Sequence, residues 1–175
     1  GFNPHMELAF ATALPVGAKS VCECVDIRLT HQVDVEGIME KLNATLPAGL
    51  KLSSMRMVED TYPRLMAIVE RGVYKLTDID VTKDELDGFL AQNEILVDKK
   101  TKSGMKSINI RPHIFRCDMD DEGITVTLSA GATNIRPELF INALQAYTGK
   151  TIEADVLRTQ LLTLSGGLRV NPLEL

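Results

Sequence analysis

Residues 114–130 read IFRCDMDDEGITVTLSA. In the second half, Ile124, Val126 and Leu128 alternate with Thr125, Thr127 and Ser129. That period of two is the pattern of a strand with one buried face. Asp121-Glu122-Gly123 is a turn signal, so the stretch reads as a hairpin. On its C-terminal side, Pro137 suits the first position of a helix. Leu139, Phe140, Ala143, Leu144 and Tyr147 form that helix's inward stripe, Gly149 closes it, and DVLRTQLLTL (155–164) follows as a strand. On the N-terminal side, VERGVYKLT (69–77) reads as a strand. Thr82 and Glu85 then form a capping box for a helix carrying Leu86, Phe89 and Leu90. EILVDKKTKSGMKSINI (94–110) reads as a further hairpin with a lysine-rich tip at Ser103-Gly104, and the tail SGGLRVNPLEL as a loop.

The first 68 residues carry a shorter pattern. MELAFA (6–11) and SVCECVDIRL (20–29) read as paired strands joined by the turn LPVGAK. Asp34 caps a helix whose apolar stripe is Val35, Ile38, Met39, Leu42 and Leu46, stopped by Pro47 and Gly49. LKLSSMRMV (50–58) reads as a weaker strand and YPRLMA as a short helical turn. The expected class is α+β, with two ferredoxin-like α/β-sandwich units built on antiparallel sheets. Residues 1–68 form the first unit (ββαβ, its opening βα missing) and residues 69–175 the second. In such a motif the strands 20–29 and 50–58 are parallel, joined by a right-handed crossover, with one antiparallel strand between them. No segment within 1–19 is left to supply that strand. The natural chain is therefore expected to carry roughly 40 residues before Gly1.

Composition excludes several classes. The formal net charge is −5, so no global basic field draws the chain to nucleic acid or an anionic membrane, and any RNA contact must be local. No apolar run approaches the roughly 20 residues of a spanning helix, and a cytoplasmic location is expected. The three cysteines, Cys22, Cys24 and Cys117, do not make a disulfide framework. Trp is absent, so base-stacking platforms are expected to be sparse. There is no phosphate loop, GxGxxG, nucleophile elbow, HExxH or CxxxCxxC cluster site. No cofactor or metal is expected.

GFNPH (1–5), LPVG (14–17), the Glu23-x-x-Asp26-Ile27 strand and LPAGL (46–50) are followed later by INIRPHI, IRPELFINAL and VLRTQL. In that order and spacing they resemble the bacterial radical-SAM-linked protein family, a domain of unknown function. The resemblance covers nearly the whole chain. It implies that GFNPH is native sequence and that a βα segment with a Ser-His-Leu-Asp motif normally precedes it. It also implies association with a radical-SAM protein, often of the cobalamin-binding type, fused or encoded nearby, and neighbours that process RNA.

Candidate residues follow. Asn3 and His5 precede a strand, where they tie down a turn or contact a ligand or partner. Glu23 and Asp26 lie on opposite strand faces, so they are no paired-carboxylate site, and one is expected to pair with an arginine. Arg111 and Arg136 each precede a proline, which holds them extended for an anion or for the acidic excess. Arg158 joins them as a ligand or partner residue. Lys99, Lys100, Lys102 and Lys106 surround the hairpin tip, either solvated or on RNA phosphate. Cys22-x-Cys24 share a face without further ligands and read as small semi-buried residues. The expected function is a non-catalytic accessory module of a radical-SAM system, binding RNA or the enzyme that modifies it. The alternative is an RNA-modifying enzyme with its site between the two units. A cleft uniting His5, Asp26 and Arg158 would favour that alternative.

Overall fold

A computed structural model describes residues 7–101, 104–165 and 168–174. The fold is mixed α+β with antiparallel sheets. Its centre is β4 (Val69–Thr77), an unbroken VERGVYKLT strand. On one side β4 pairs with β8 (Gly123–Ser129), which pairs with β7 (Ile114–Asp120). On the other it pairs with β9 (Asp155–Ser165), all antiparallel. The helix α3 (Lys83–Leu90) follows β4, and α4 (Pro137–Thr148) joins β8 to β9. The spatial order is thus β9-β4-β8-β7. The hairpin of β5 (Leu96–Thr101) and β6 (Gly104–Asn109) is inserted between α3 and β7 and forms a ladder of its own.

The alternation seen in the sequence builds the core. Tyr74 and Leu76 of β4, and Ile124, Val126 and Leu128 of β8, face α3 and α4, where Leu86, Phe89, Phe140 and Leu144 meet them. Phe89 and Phe140 contact edge-to-face, with centroids 5.5 Å apart. Tyr147, expected on the inward stripe, is half exposed, yet its ring rests against Phe89. The Thr82–Glu85 capping box forms in both directions, and Gly149 ends α4 at φ 71°. Gly123 closes the β7–β8 turn at φ 134°, where a Cβ would lie 2.1 Å from the Leu76 carbonyl oxygen.

The N-terminal part differs more from expectation. The ladder between 6–11 and 20–29 exists, but only as β1 (Leu8–Phe10) against β3 (Val25–Ile27). The expected strand 20–29 is broken. Its first piece, β2 (Lys19–Ser20), instead runs parallel to β9. The helix α1 (Val35–Thr45) is capped by Asp34 as its sequence demands, yet none of its residues is buried. Residues 50–58 form no strand, so the expected crossover between parallel strands is absent. The reason is local. The Asn43 side-chain amide accepts from the Leu52 N–H (2.8 Å) and donates to the Leu52 C=O (3.1 Å), taking the groups a ladder would need. The tail also departs from a simple loop: β10 (Leu168–Val170) returns antiparallel to β9.

One buried cation joins the N-terminal part to the sheet. Arg158 has 0 % exposure. Its Nη1 donates to both Glu23 carboxylate oxygens (2.8 and 3.0 Å) and its Nη2 to the Ala13 carbonyl (2.7 Å). The Arg158 carbonyl accepts from the Val21 N–H (3.1 Å), beside the Ser20–Arg158 register of β2 and β9. Tyr74, its cross-strand neighbour, places its ring 5.5 Å from the guanidinium carbon. Gly72 leaves room for that ring, because a Cβ there would stand 3.0 Å from the Tyr74 hydroxyl. A second apolar cluster of Ala11, Cys24, Leu65, Val69, Ala130 and Leu161 packs beside this junction.

Two stability predictions follow from these contacts. Replacing Glu23 by Ala strands a desolvated guanidinium, so urea unfolding should show a loss of about 3–5 kcal/mol. A loss under about 1 kcal/mol would mean the N-terminal segment contributes little to the fold. Glu85 accepts from the Thr82 N–H and also pairs with Lys150, which together lower its carboxyl pKa. A depressed folded pKa contributes stability above the unfolded value and loses it as pH falls. The urea midpoint of Glu85→Gln should therefore lie below wild type at neutral pH and converge on it in acid.

Candidate functional site

The β5–β6 hairpin carries the clearest charge feature. Its register places Val97 opposite Ile108 and Lys99 opposite Lys106. Side chains directly opposite each other share a face. Val97 and Ile108 meet the core, so Lys99 and Lys106 continue the same face beyond it. The other face carries Leu96, Asp98, Lys100 and Met105, all exposed. Lys99 donates to the Asn134 carbonyl (3.4 Å), which fastens the hairpin to the loop between β8 and α4. Among the described residues, no carboxylate pairs with Lys99, Lys100 or Lys106. Two lysines directly opposite each other repel, at a cost in hairpin stability. Lys102 lies outside the described residues.

The other expected site residues scatter. Asn3 and His5 lie outside the described residues. Asp26 Oδ2 accepts from the Leu65 N–H (3.0 Å) and so holds the start of α2 (Leu65–Ile68). Arg158 is bound in the core by Glu23, the arginine partner anticipated for one of that strand's carboxylates. Arg136 is extended before its proline, as expected, and lies 3.7 Å from Glu138. Arg111 is not extended. It begins a 3-10 turn (Arg111–His113), and its Nε donates to the Leu90 carbonyl (3.0 Å), closing the end of α3. Asp26, Arg111, Arg136 and Arg158 thus serve separate local tasks.

A different group of residues does converge. A cavity of about 380 Å³ lies at one corner of the sheet, lined by Glu70, Arg71, His113, Phe115, Ser129 and Thr133 above Ala67, Val69 and Ala130. His113 Nδ1 and Ser129 Oγ are hydrogen-bonded at 3.0 Å. The Arg71 guanidinium carbon sits 3.5 Å from the Phe115 ring centroid. Sequence reading passed over this group because its members are dispersed, from residue 70 to residue 133. The local signal in the sequence is His113 inside NIRPHIF, two residues after Arg111.

Cys22, Cys24 and Cys117 are free thiols. Burial raises the pKa of all three. Cys24 is pushed up to about 11, with further contributions from Cys22, Glu23 and Asp26, and Cys117 to about 12, with Asp118 and Asp87 adding to burial. Thiolates are therefore scarce at neutral pH. Among the described residues no group of three or more His, Cys, Asp or Glu side chains converges as a metal site. No helix among them is long and apolar enough to cross a membrane. Iodoacetamide at neutral pH should alkylate all three cysteines far more slowly in the folded protein than in urea. Rapid labelling of Cys24 or Cys117 in the folded state would contradict the burial described.

No match was found among curated proteins or among solved structures. The profile of one family, described as an uncharacterized protein conserved in bacteria (DUF2344), matches residues 1–146. With that share of its 175 residues matched, the chain belongs to this bacterial family.

Proposed function

We propose that the chain is an accessory module that binds single-stranded RNA within a radical-SAM system, with no catalytic centre of its own. The observation that carries this reading is the set of hairpin lysines without ion pairs in a chain of net charge −5. Most other cations described are neutralised: Lys75 by Asp120 and Glu122, Lys150 by Glu85, Arg116 by Asp118, Arg158 by Glu23. A cluster of cations without ion-pair partners on an inserted hairpin is suited to phosphate, although Asp98 lies on the same strand.

The strand order β9-β4-β8-β7 with α3 and α4 as crossovers supports reading residues 69–175 as a ferredoxin-like unit with an inserted hairpin. That is an argument from fold alone and adds little about function. The radical-SAM partner rests on the sequence resemblance. A surface suited to a protein partner exists in the N-terminal part, where Leu8, Phe10, Leu50, Met57 and Val58 are exposed and α1 is unburied. The enzyme alternative loses its expected constellation, since Asp26 and Arg158 already hold backbone and carboxylate groups.

Anisotropy titrations of a labelled single-stranded RNA should show affinity falling as salt rises. The Lys99→Ala/Lys100→Ala/Lys106→Ala variant should flatten the log–log slope by about 2, at ~0.7 per phosphate contact. An unchanged slope removes the hairpin from the reading. No binding by wild type at low salt removes RNA altogether.

A further inference from the structure

The corner cavity is produced by two irregularities in the sheet. Between β7 and β8 the register shifts at Phe115: Ile114 pairs with Leu128 and Arg116 with Thr127, leaving Phe115 as the extra residue. Between β4 and β9 it shifts at Glu70, since Val69 pairs with Thr163 and Arg71 with Leu162. A bulge re-aims a side chain that regular pleating would direct elsewhere. Both extra residues, Glu70 and Phe115, line the same cavity. Between them lie Arg71 and Ser129, direct cross-strand partners whose side chains share that face.

We infer that this cavity takes one unstacked nucleobase of the bound RNA, a step that rests on the RNA reading above and gives it a second contact. The chemistry fits a flat heterocycle with a polar edge. The Arg71–Phe115 pair is a stacked guanidinium and ring, and Phe115 retains 42 % exposure for a second planar partner. The His113–Ser129 pair and the Thr133 hydroxyl supply donors and acceptors for a base edge. Ala67, Val69 and Ala130 give the apolar part of the lining. The volume of about 380 Å³ stands near the lower end of small-molecule sites, suited to one nucleotide and not to a large cofactor. The site also connects to the hairpin: Thr133 lines it, and the next residue, Asn134, receives Lys99. A strand with one base in the cavity would lead its phosphates toward Lys99 and Lys106.

The test uses the full chain and two probes: an unstructured single-stranded RNA and inorganic polyphosphate. Phe115→Ala should weaken RNA binding on the order of tenfold, the effect of losing one base–aromatic stack. Its salt slope and its polyphosphate affinity should match wild type, and Phe115→Tyr should restore RNA affinity. RNA carrying 5-iodouridine should photo-crosslink to the peptide containing Phe115. If wild type binds RNA with the lysine-dependent slope but Phe115→Ala binds equally well and no crosslink reaches that peptide, the cavity inference is overturned and the RNA reading stands. If Phe115→Ala weakens polyphosphate equally, the residue acts through the fold and the inference also fails. Absence of RNA binding by wild type overturns both.

Discussion

A guanidinium with no exposed surface is the constraint on which the arrangement of this chain depends. Arg158 sits on β9 with its side chain inside the protein, where an unpaired charge is costly. It must be met by acceptors, and both that meet it come from the N-terminal segment: the Glu23 carboxylate and the Ala13 carbonyl. The segment between residues 13 and 23 is thereby fixed against β9, and β2 adds to the sheet edge as a result. The turn of the chain toward Arg158 also explains why the expected strand 20–29 breaks. Ser20 pairs with β9, Val25 pairs with β1, and the residues between them place the Glu23 carboxylate against the guanidinium from the surface side. Arg158 Nε is left with no partner, the only such buried side-chain nitrogen or oxygen among the described residues, so even this junction is incompletely satisfied.

The two parts of the chain are stabilised by different means. Residues 69–165 contain the large apolar core, two helices and the long strands. The N-terminal part relies on the Arg158 junction, the small cluster around Leu161 and side chains that hold backbone directly, Asn43 on Leu52 and Asp26 on Leu65. Its helix has no fully buried residue, and its two-stranded ladder is short. Isolated helices and two-stranded ladders are marginal in water. The first part is therefore the region whose opening free energy should be lowest.

The surface proposed here to bind RNA belongs to the better-packed part. A rigid sheet corner and an inserted hairpin lie on either side of the loop 131–134, one offering a stacked ring and guanidinium, the other unneutralised lysines. This division between a positioning charge and a shape-selective contact is common in nucleic-acid recognition.

Local pattern was enough for the elements of residues 69–165. Alternation marked β8, VERGVYKLT and DVLRTQLLTL read as the strands that became β4 and β9, the Thr82–Glu85 pair marked the start of α3, and Pro137 and Gly149 bounded α4. The lysine hairpin was legible for the same reason, because a strand–turn–strand with a charged tip involves only near neighbours in sequence. Residues 50–58 misled because side-chain amides can replace a ladder, and nothing in a hydrophobic pattern reports that Asn43 will reach Leu52. Arg111 misled because the residue before a proline is only biased toward extended geometry, and a 3-10 turn was favoured instead by its bond to Leu90. The partners of Arg158 and the corner cavity were decided by tertiary structure alone. Glu23 and Arg158 are 135 residues apart, and the cavity is lined by the extra residues of two bulges, one between β7 and β8 of a hairpin and one between β4 and the distant β9. Periodicity describes a strand's faces, but which extra residue a register shift expels is settled only when the strands pair.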